Sequence, residues 1–156
     1  MNQISIRCLI LACGNTLRED DGIGPFLAQW AEERWHDDQR IRVLCDHQWT
    51  PDMAQEIAAA ETVIFIDCSL DQAPGQIMLR ELNPASLKPG LVTHHLGAPE
   101  LLSVAQELYG TRPRRACLFT IGAGSIELGE GLSPAVREAL PDAQELLELA
   151  VGQLLG

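Results

Sequence analysis

Runs of apolar residues alternate with amphipathic stretches along most of the chain. Apolar, β-prone residues or alternating patterns predict five strands, at 4–12, 41–45, 62–66, 76–81 and 115–122. Apolar positions at helical spacing predict four helical regions, at 23–36, 51–60, 97–109 and from Ser133 and Pro134 to the C-terminus. We expect Pro141 to break or kink the last of these helices, because proline removes a helical hydrogen bond.

The order of these elements is β-α-β-α-β-β-α-β-α. Strands that alternate with helices are typical of a mostly parallel sheet with helices packed on both of its faces. We therefore predict an α/β fold, a three-layer sandwich around a sheet of about five strands. The length of 156 residues and the lack of any linker predict a single domain over 1–156.

Composition excludes several kinds of partner. The net charge of −11 makes nucleic acid or an anionic membrane surface an unsuitable partner. No apolar run approaches the roughly 20 residues that a membrane span needs, and the N-terminal residues lack the pattern of a signal peptide. The five cysteines form no CxxC pair, and their number is odd, so we expect reduced thiols and a cytoplasmic protein.

Acidic and imidazole side chains follow the predicted strands. Asp20 and Asp21 follow the first strand, Asp46 and His47 the second, and Asp67 the third. A loop with His94 and His95 precedes the helix at 97–109. Because parallel strands end at the same sheet edge, these groups should lie close together, where a carboxylate and imidazole set suits nickel, zinc, cobalt or iron.

Other interpretations of the same residues stay open. Asp67 could cap a turn, Asp20 and Asp21 could cap the helix that follows them, and His94 could be a surface residue. A nucleotide-binding loop at 122–124 is a weaker rival, because the third glycine of that motif is replaced by Glu127 and nearby acids would repel a pyrophosphate.

Two segments resemble those of the hydrogenase maturation proteases. Residues 14–24, GNTLREDDGIG, fit the pattern GN-x-L-x-x-D-[DE]-x-x-G, and an apolar strand ending in Asp67 follows. His94 and His95, then Leu101 and Leu102, fit a second part of the family pattern. The resemblance extends over nearly the whole chain.

This resemblance implies an aspartyl-type endopeptidase that removes the C-terminal extension from the large-subunit precursor of a nickel–iron hydrogenase. It implies that Asp21, Asp67 and His94 contact the metal, and that the catalytic groups are to be sought among them. The nickel is supplied by the substrate, and zinc or cadmium can substitute for it. A non-catalytic, nickel-dependent chaperone for the same large subunit is the alternative, because the same three ligands would serve it.

The chain differs from many members of the family after its second strand. They carry Asp-Gly-Gly in a flexible substrate loop, whereas this chain has Asp46, His47 and, two residues later, Trp49. We expect these three residues to contact the substrate, in a stiffer loop in which Trp49 offers an apolar surface. The difference bears on which substrate is bound more than on the activity.

No conventional protease motif is present: there is no HExxH helix, and 122–125 is not a GxSxG elbow. Cys68 could pair with His94 as a nucleophile, but its anionic neighbour Asp67 favours a thiol that only packs beside the core. Hydrolysis would use either water activated by the metal or a carboxylate as general base. We expect a monomer that binds its large partner transiently.

Overall fold

Five strands form one sheet in the computed structural model, which describes residues 5–83 and 96–156. They are β1 (Cys8–Cys13), β2 (Ile41–Asp46), β3 (Thr62–Ser69), β4 (Ile77–Leu82) and β5 (Arg115–Gly122). Their order is β2-β1-β3-β5-β4, and only the β4–β5 pair of this sheet is antiparallel. The prediction of a mostly parallel sheet of about five strands is confirmed.

Helices cover both faces of the sheet. They are α1 (Ile23–Arg34), α2 (Ala54–Ala59), α3 (Ala98–Tyr109) and α4 (Pro134–Leu155), with short 3-10 helices at Glu19–Gly22 and Pro51–Met53. One apolar cluster joins the sheet to α1 and α4, and a second joins its other face to α2 and α3. No helix among the described residues is long and apolar enough to cross a membrane.

The interior strand β1 explains why the layers form on both sides. All six of its residues are buried, and they alternate between the two apolar clusters. Cys8, Ile10 and Ala12 belong to the α1 and α4 side, and the other three belong to the α2 and α3 side. A strand that is buried on both faces needs this unbroken apolar sequence.

Two boundaries differ from the sequence-based prediction. Strand β3 was expected to end before Asp67, yet it pairs with β5 as far as Ser69, so Asp67 lies inside the strand. The pairing with β5 continues the strand through residues that are polar and only half-buried. Strand β1 begins at Cys8 rather than at residue 4, and residues 1–4 lie outside the described part of the chain.

Pro141 does not break the C-terminal helix, so that part of the prediction is wrong. Helix α4 runs through it as one element of 22 residues. Pro141 and Arg137, whose carbonyl loses its helical donor, are both exposed, so water can serve that carbonyl. The apolar face on the other side, which includes Val136, Ala143 and Leu147, holds the helix against the sheet.

Glycines allow the segment after β1 to turn tightly against the strand end. Gly14 has a φ of 154°, and a Cβ atom there would lie 1.9 Å from the backbone oxygen of Asp21. A Cβ on Gly24 would lie 2.1 Å from the backbone oxygen of Cys13. Since no side chain fits at either point, glycine is what brings the 3-10 helix Glu19–Gly22 and the start of α1 so close to the sheet edge.

The carboxylate of Asp20 fixes this segment to the other end of the chain. Asp20 is fully buried, and it accepts hydrogen bonds from the backbone N–H groups of Gly124, Ser125 and Ser133 at 2.7, 3.1 and 2.7 Å. The Ser133 hydroxyl donates a fourth, at 2.7 Å. Burial by itself would raise the pKa of Asp20, but these hydrogen bonds together lower it below its usual value. Asp20 is therefore an ionised anchor between the turn after β1 and the start of α4.

Replacing Asp20 by Asn should destabilise the protein by about 2–4 kcal/mol, because the amide NH₂ would face N–H donors and leave them unsatisfied. The free energy of unfolding, from urea titration near neutral pH, measures the loss. Because the folded-state pKa is lowered, the stabilisation is present above the unfolded pKa of about 4 and is lost as the pH falls through the folded pKa. The difference between wild type and Asp20→Asn should therefore shrink in acid.

Asp142→Asn is the matched control, because it makes the same change on the exposed face of α4 and should stay within about 0.5 kcal/mol of wild type. Equal stabilities of Asp20→Asn and Asp142→Asn at neutral pH would contradict the anchoring role.

Candidate functional site

Two carboxylates and a thiol meet at the carboxyl edge of the sheet. Asp21 comes from the 3-10 helix after β1, and Asp67 and Cys68 come from the last part of β3. One potential ligand atom from each residue lies within 4.8 Å of the other two, and all three residues are half-buried. The sequence predicted that Asp21 and Asp67 would lie together, and the parallel pairing of β1 with β3 is the reason that they do.

Asp21 is held by two hydrogen bonds on different oxygens. Its Oδ2 accepts the backbone N–H of Asn15 at 2.8 Å, and its Oδ1 accepts the thiol of Cys68 at 3.2 Å. The first bond closes the glycine-rich turn on itself, so the side chain is oriented before any ligand arrives. The second bond connects the turn directly to β3.

Asp67 lies in an environment that disfavours its charge. Burial raises its pKa to about 6, and the nearby carboxylate of Asp21 acts in the same direction. Hydrogen bonds from the Cys68 N–H, at 2.8 Å, and from the Cys13 thiol act against this rise. Within the described residues, no salt bridge reaches Asp67 or Asp21. The pair is therefore a site of negative charge without a cationic partner there.

Two cysteine thiols flank the carboxylate pair. Burial, followed by the neighbouring carboxylates, raises the pKa of both Cys13 and Cys68 far above that of a free thiol. Each thiol thus stays protonated and donates a hydrogen bond, Cys13 to Asp67 and Cys68 to Asp21. A thiol of this kind is a poor nucleophile, in agreement with the sequence argument against a cysteine protease.

The contact between Cys68 and Asp21 was not foreseen from the sequence. We expected a small thiol beside the core, and Cys68 does pack against the apolar cluster of α1 and α4, but its sulfur also contacts a carboxylate 47 residues away along the chain. The only sequence signal was its place next to Asp67 at the end of an apolar strand. Carboxylate oxygens and a thiol sulfur are donor types that borderline divalent ions such as zinc and nickel accept, so the residues present fit a metal of this class.

Asp46 and His47 lie on the surface at the end of β2. Both are exposed, and the Asp46 carboxylate accepts the backbone N–H of His47 at 2.7 Å. Their backbone lies next to the end of β1, because the N–H of Gly14 donates to the Asp46 carbonyl at 3.1 Å. They are accessible to a partner, and their contact with a substrate stays a prediction.

Trp49 has a different environment from the one expected of an exposed substrate contact. Only 8% of it is exposed, and its ring packs edge-on against Phe65, with centroids 5.2 Å apart. Its indole belongs to the apolar cluster under α2 and α3. Its contact with a substrate stays a prediction.

Asp20 does not cap the helix that follows it, as one of our interpretations held. Helix α1 has no side-chain cap, and the Asp20 carboxylate accepts its hydrogen bonds from the loop after β5 instead. This also bears on the nucleotide-binding interpretation of 122–124. The N–H groups of Gly124 and Ser125, which a phosphate would require, already donate to Asp20.

The predicted histidine ligand and its neighbour cannot be placed. His94 and His95 lie outside the described residues, so the role of His94 as a third ligand stays a prediction. The described chain resumes at Leu96, directly before α3, and Leu96 packs against the apolar cluster that contains Trp49 and Cys13.

Comparisons with known proteins point in one direction. No protein-family model matches the chain. The hydrogenase 2 maturation protease of Escherichia coli is 28% identical over 144 residues, which cover 90% of this chain and 87% of that protein. The structure of the hydrogenase maturating endopeptidase HybD from E. coli has a TM-score of 0.75 and 25% identity, covering 94% of this chain and 93% of that one.

A second solved structure, the [NiFe] hydrogenase maturation protease HybD from Thermococcus kodakarensis, has a TM-score of 0.68 and 26% identity, covering 92% of this chain and 98% of that one. The similarity thus spans most of the length of each relative. The fold, the sequence similarity and the motif at residues 14–24 agree, and over nearly its whole length the chain is similar to hydrogenase maturation proteases.

Proposed function

We propose that this protein is an endopeptidase that removes the C-terminal extension of a NiFe hydrogenase large-subunit precursor after nickel has been inserted. In this proposal Asp21, Asp67 and His94 bind the nickel that the precursor carries, and so bring the peptide bond to be cut into register. The observation that carries the proposal is the half-buried carboxylate pair at the sheet edge, which has no cationic partner among the described residues.

The electrostatics of the carboxylate pair favour a cation that arrives with the substrate. Two carboxylates that share a half-buried space repel each other, and the raised pKa of Asp67 reports this cost together with that of burial. A divalent ion would remove the repulsion and satisfy both groups. The free protein is then poised for a ligand that brings positive charge with it.

The hydrogen bonds at the site prepare its geometry. Asn15 and Cys68 fix Asp21, while the backbone N–H of Cys68 fixes one oxygen of Asp67. Side chains held in this way lose little freedom on binding, which favours exact positioning of the docked tail. Hydrolysis then adds water to the peptide carbonyl carbon, breaks the C–N bond and transfers a proton to the leaving amine. A carboxylate acting as base and activation of water by the substrate's nickel are both compatible with this arrangement.

An acidic groove of about 550 Å³ lies between α1 and the edge strand β2, and Glu32, Glu33 and Cys45 are among the residues that line it. Cys45 directly precedes Asp46, so the groove leads to the exposed segment that we expect to contact the substrate. With the net charge of −11, this surface suits a basic face on the precursor.

Replacing either carboxylate of the pair by its amide should greatly slow processing. Asp21→Asn and Asp67→Asn keep the shape but remove the negative charge, and we expect cleavage of the nickel-loaded precursor to slow by at least about 100-fold. Gel mobility of the precursor measures the loss of its tail. Asp71→Asn is the matched control, because Asp71 is an exposed carboxylate just beyond the same strand. Wild-type rates in both site variants would contradict the proposal.

Nickel in the precursor should be required for cleavage. If the metal docks the tail, a nickel-free precursor presents no ligand to the two carboxylates and should remain uncut, whereas the nickel-loaded form should lose its tail. Incubation of the purified protein with each form, followed by mass spectrometry, makes the comparison. Equal cleavage of both forms would remove nickel docking from the mechanism, and cleavage of neither would favour the non-catalytic chaperone.

His94→Ala should reduce both precursor binding and cleavage, because it removes the nitrogen ligand assigned by the family resemblance. His36→Ala is the control, since His36 is exposed just beyond the far end of α1. Pull-down of the nickel-loaded precursor and the cleavage assay together test both effects. Unchanged behaviour of His94→Ala would exclude His94 from the site.

A further inference from the structure

The Cys68 thiol occupies a position that a metal ligand would require. Its sulfur lies 3.2 Å from Oδ1 of Asp21, and donor atoms of Cys68, Asp21 and Asp67 lie within 4.8 Å of one another. Around an ion with bonds of about 2.0–2.3 Å, tetrahedral donors are separated by roughly 3.3–3.8 Å. The three donors are therefore close to the spacing of a first coordination sphere, and a small inward movement would complete it.

The thiol does more than pack beside the core. Cys68 is half-buried against the apolar cluster of α1 and α4, and it directs its sulfur at a carboxylate rather than only at apolar atoms. A divalent ion bound between the three donors would replace the thiol proton as the positive partner of the sulfur.

We propose that Cys68 supplies a thiolate ligand at this site, which makes the site selective for thiophilic divalent ions over hard ions such as magnesium. The inference rests on the proposed function, because it concerns the same pair of carboxylates. On binding, the metal–sulfur bond forms as the S–H bond breaks, and the proton passes to solvent. No electron is transferred, so the ion and the sulfur keep their oxidation states.

A sulfur donor gives the site a means of choosing its substrate. Carboxylate oxygens are ligands that magnesium and manganese also accept, and these ions are abundant competitors in a cell. A thiolate shifts the preference towards nickel, zinc and cadmium. A precursor whose metal position is still empty, or filled by a hard ion, would then be rejected by coordination chemistry as well as by shape.

Cadmium alone, added to the purified metal-free protein, tests the ligand directly. We expect wild type to bind it with a thiolate-to-cadmium charge-transfer absorption in the ultraviolet, and to retain it against an excess of magnesium. Cys68→Ser should lose the absorption and bind cadmium at least about tenfold more weakly. A loss of about tenfold is the lower end for removing a residue that only supports a ligand, so removing a ligand itself should cost at least as much. Cys68→Ala provides a second variant, and thermal unfolding checks that both are folded.

Cys45→Ser is the matched control, because Cys45 is an exposed cysteine on the edge strand and could bind cadmium at the surface. It should keep the absorption and the affinity of wild type. Absorption that persists in both Cys68 variants would overturn the inference. Absorption that disappears only in Cys13→Ser would also overturn it, and so would cadmium binding by wild type without the thiolate absorption.

Processing of the nickel-loaded precursor, assayed in parallel, separates this inference from the proposed function. If the cadmium results exclude sulfur ligation while wild type cleaves the precursor and Asp67→Asn does not, only the role of Cys68 fails. If wild type leaves the precursor intact, the proposed function fails whatever cadmium does.

Discussion

The buried carboxylate of Asp20 is the interaction on which the rest of the site depends. It gathers four donors from the loop after β5 and the start of α4, although it belongs to a turn more than a hundred residues earlier. A buried charge is costly unless it is fully hydrogen-bonded, and here each of its oxygens is used. The neighbouring residue, Asp21, is thereby held at the sheet edge, where its own carboxylate accepts one hydrogen bond on each oxygen and has no salt bridge among the described residues.

Adjacent aspartates thus serve opposite purposes. Asp20 has all the donors that an anion needs, and its pKa is lowered in spite of burial. Asp67, across the edge from Asp21, has fewer donors, and burial together with the like charge of Asp21 raises its pKa. Asp20 stabilises the fold, whereas the pair formed by Asp21 and Asp67 is left electrostatically unsatisfied. Such unsatisfied charge is typical of functional sites, because a ligand can relieve it.

The thiols of Cys13 and Cys68 are also placed by the negative charge of the carboxylate pair. Cys13 and Cys68 donate to Asp67 and Asp21 in the absence of a cation, so the carboxylates are not left without any donor. Both thiols lie in or at the end of strands whose apolar sequence suggests simple packing. Their proximity to charge, rather than their sequence context, gives them chemical interest. This is why cysteine in an apolar run should be assessed from the structure before it is counted as core.

Sequence patterns predicted the elements of this fold well where burial on both faces demands an unbroken apolar run, as in β1 and β3. They were less accurate where tertiary contacts override local preference. Strand β3 extends through Asp67 because β5 pairs with it, and α4 passes through Pro141 because its other face is packed and the proline is exposed. Local propensity gives the preferred conformation of a residue, whereas packing against neighbouring elements decides whether the chain adopts it.

The sequence by itself determined the parallel α/β architecture and the pairing of Asp21 with Asp67. Alternation of strands and helices forces the strands to end at one edge, and both carboxylates follow from that topology. Only the tertiary structure decided that Asp20 anchors the distant start of α4, that Trp49 packs in the core and that Cys68 faces Asp21. These contacts join residues far apart along the chain, and the periodicity of apolar positions carries no information about which distant side chain fills a given space.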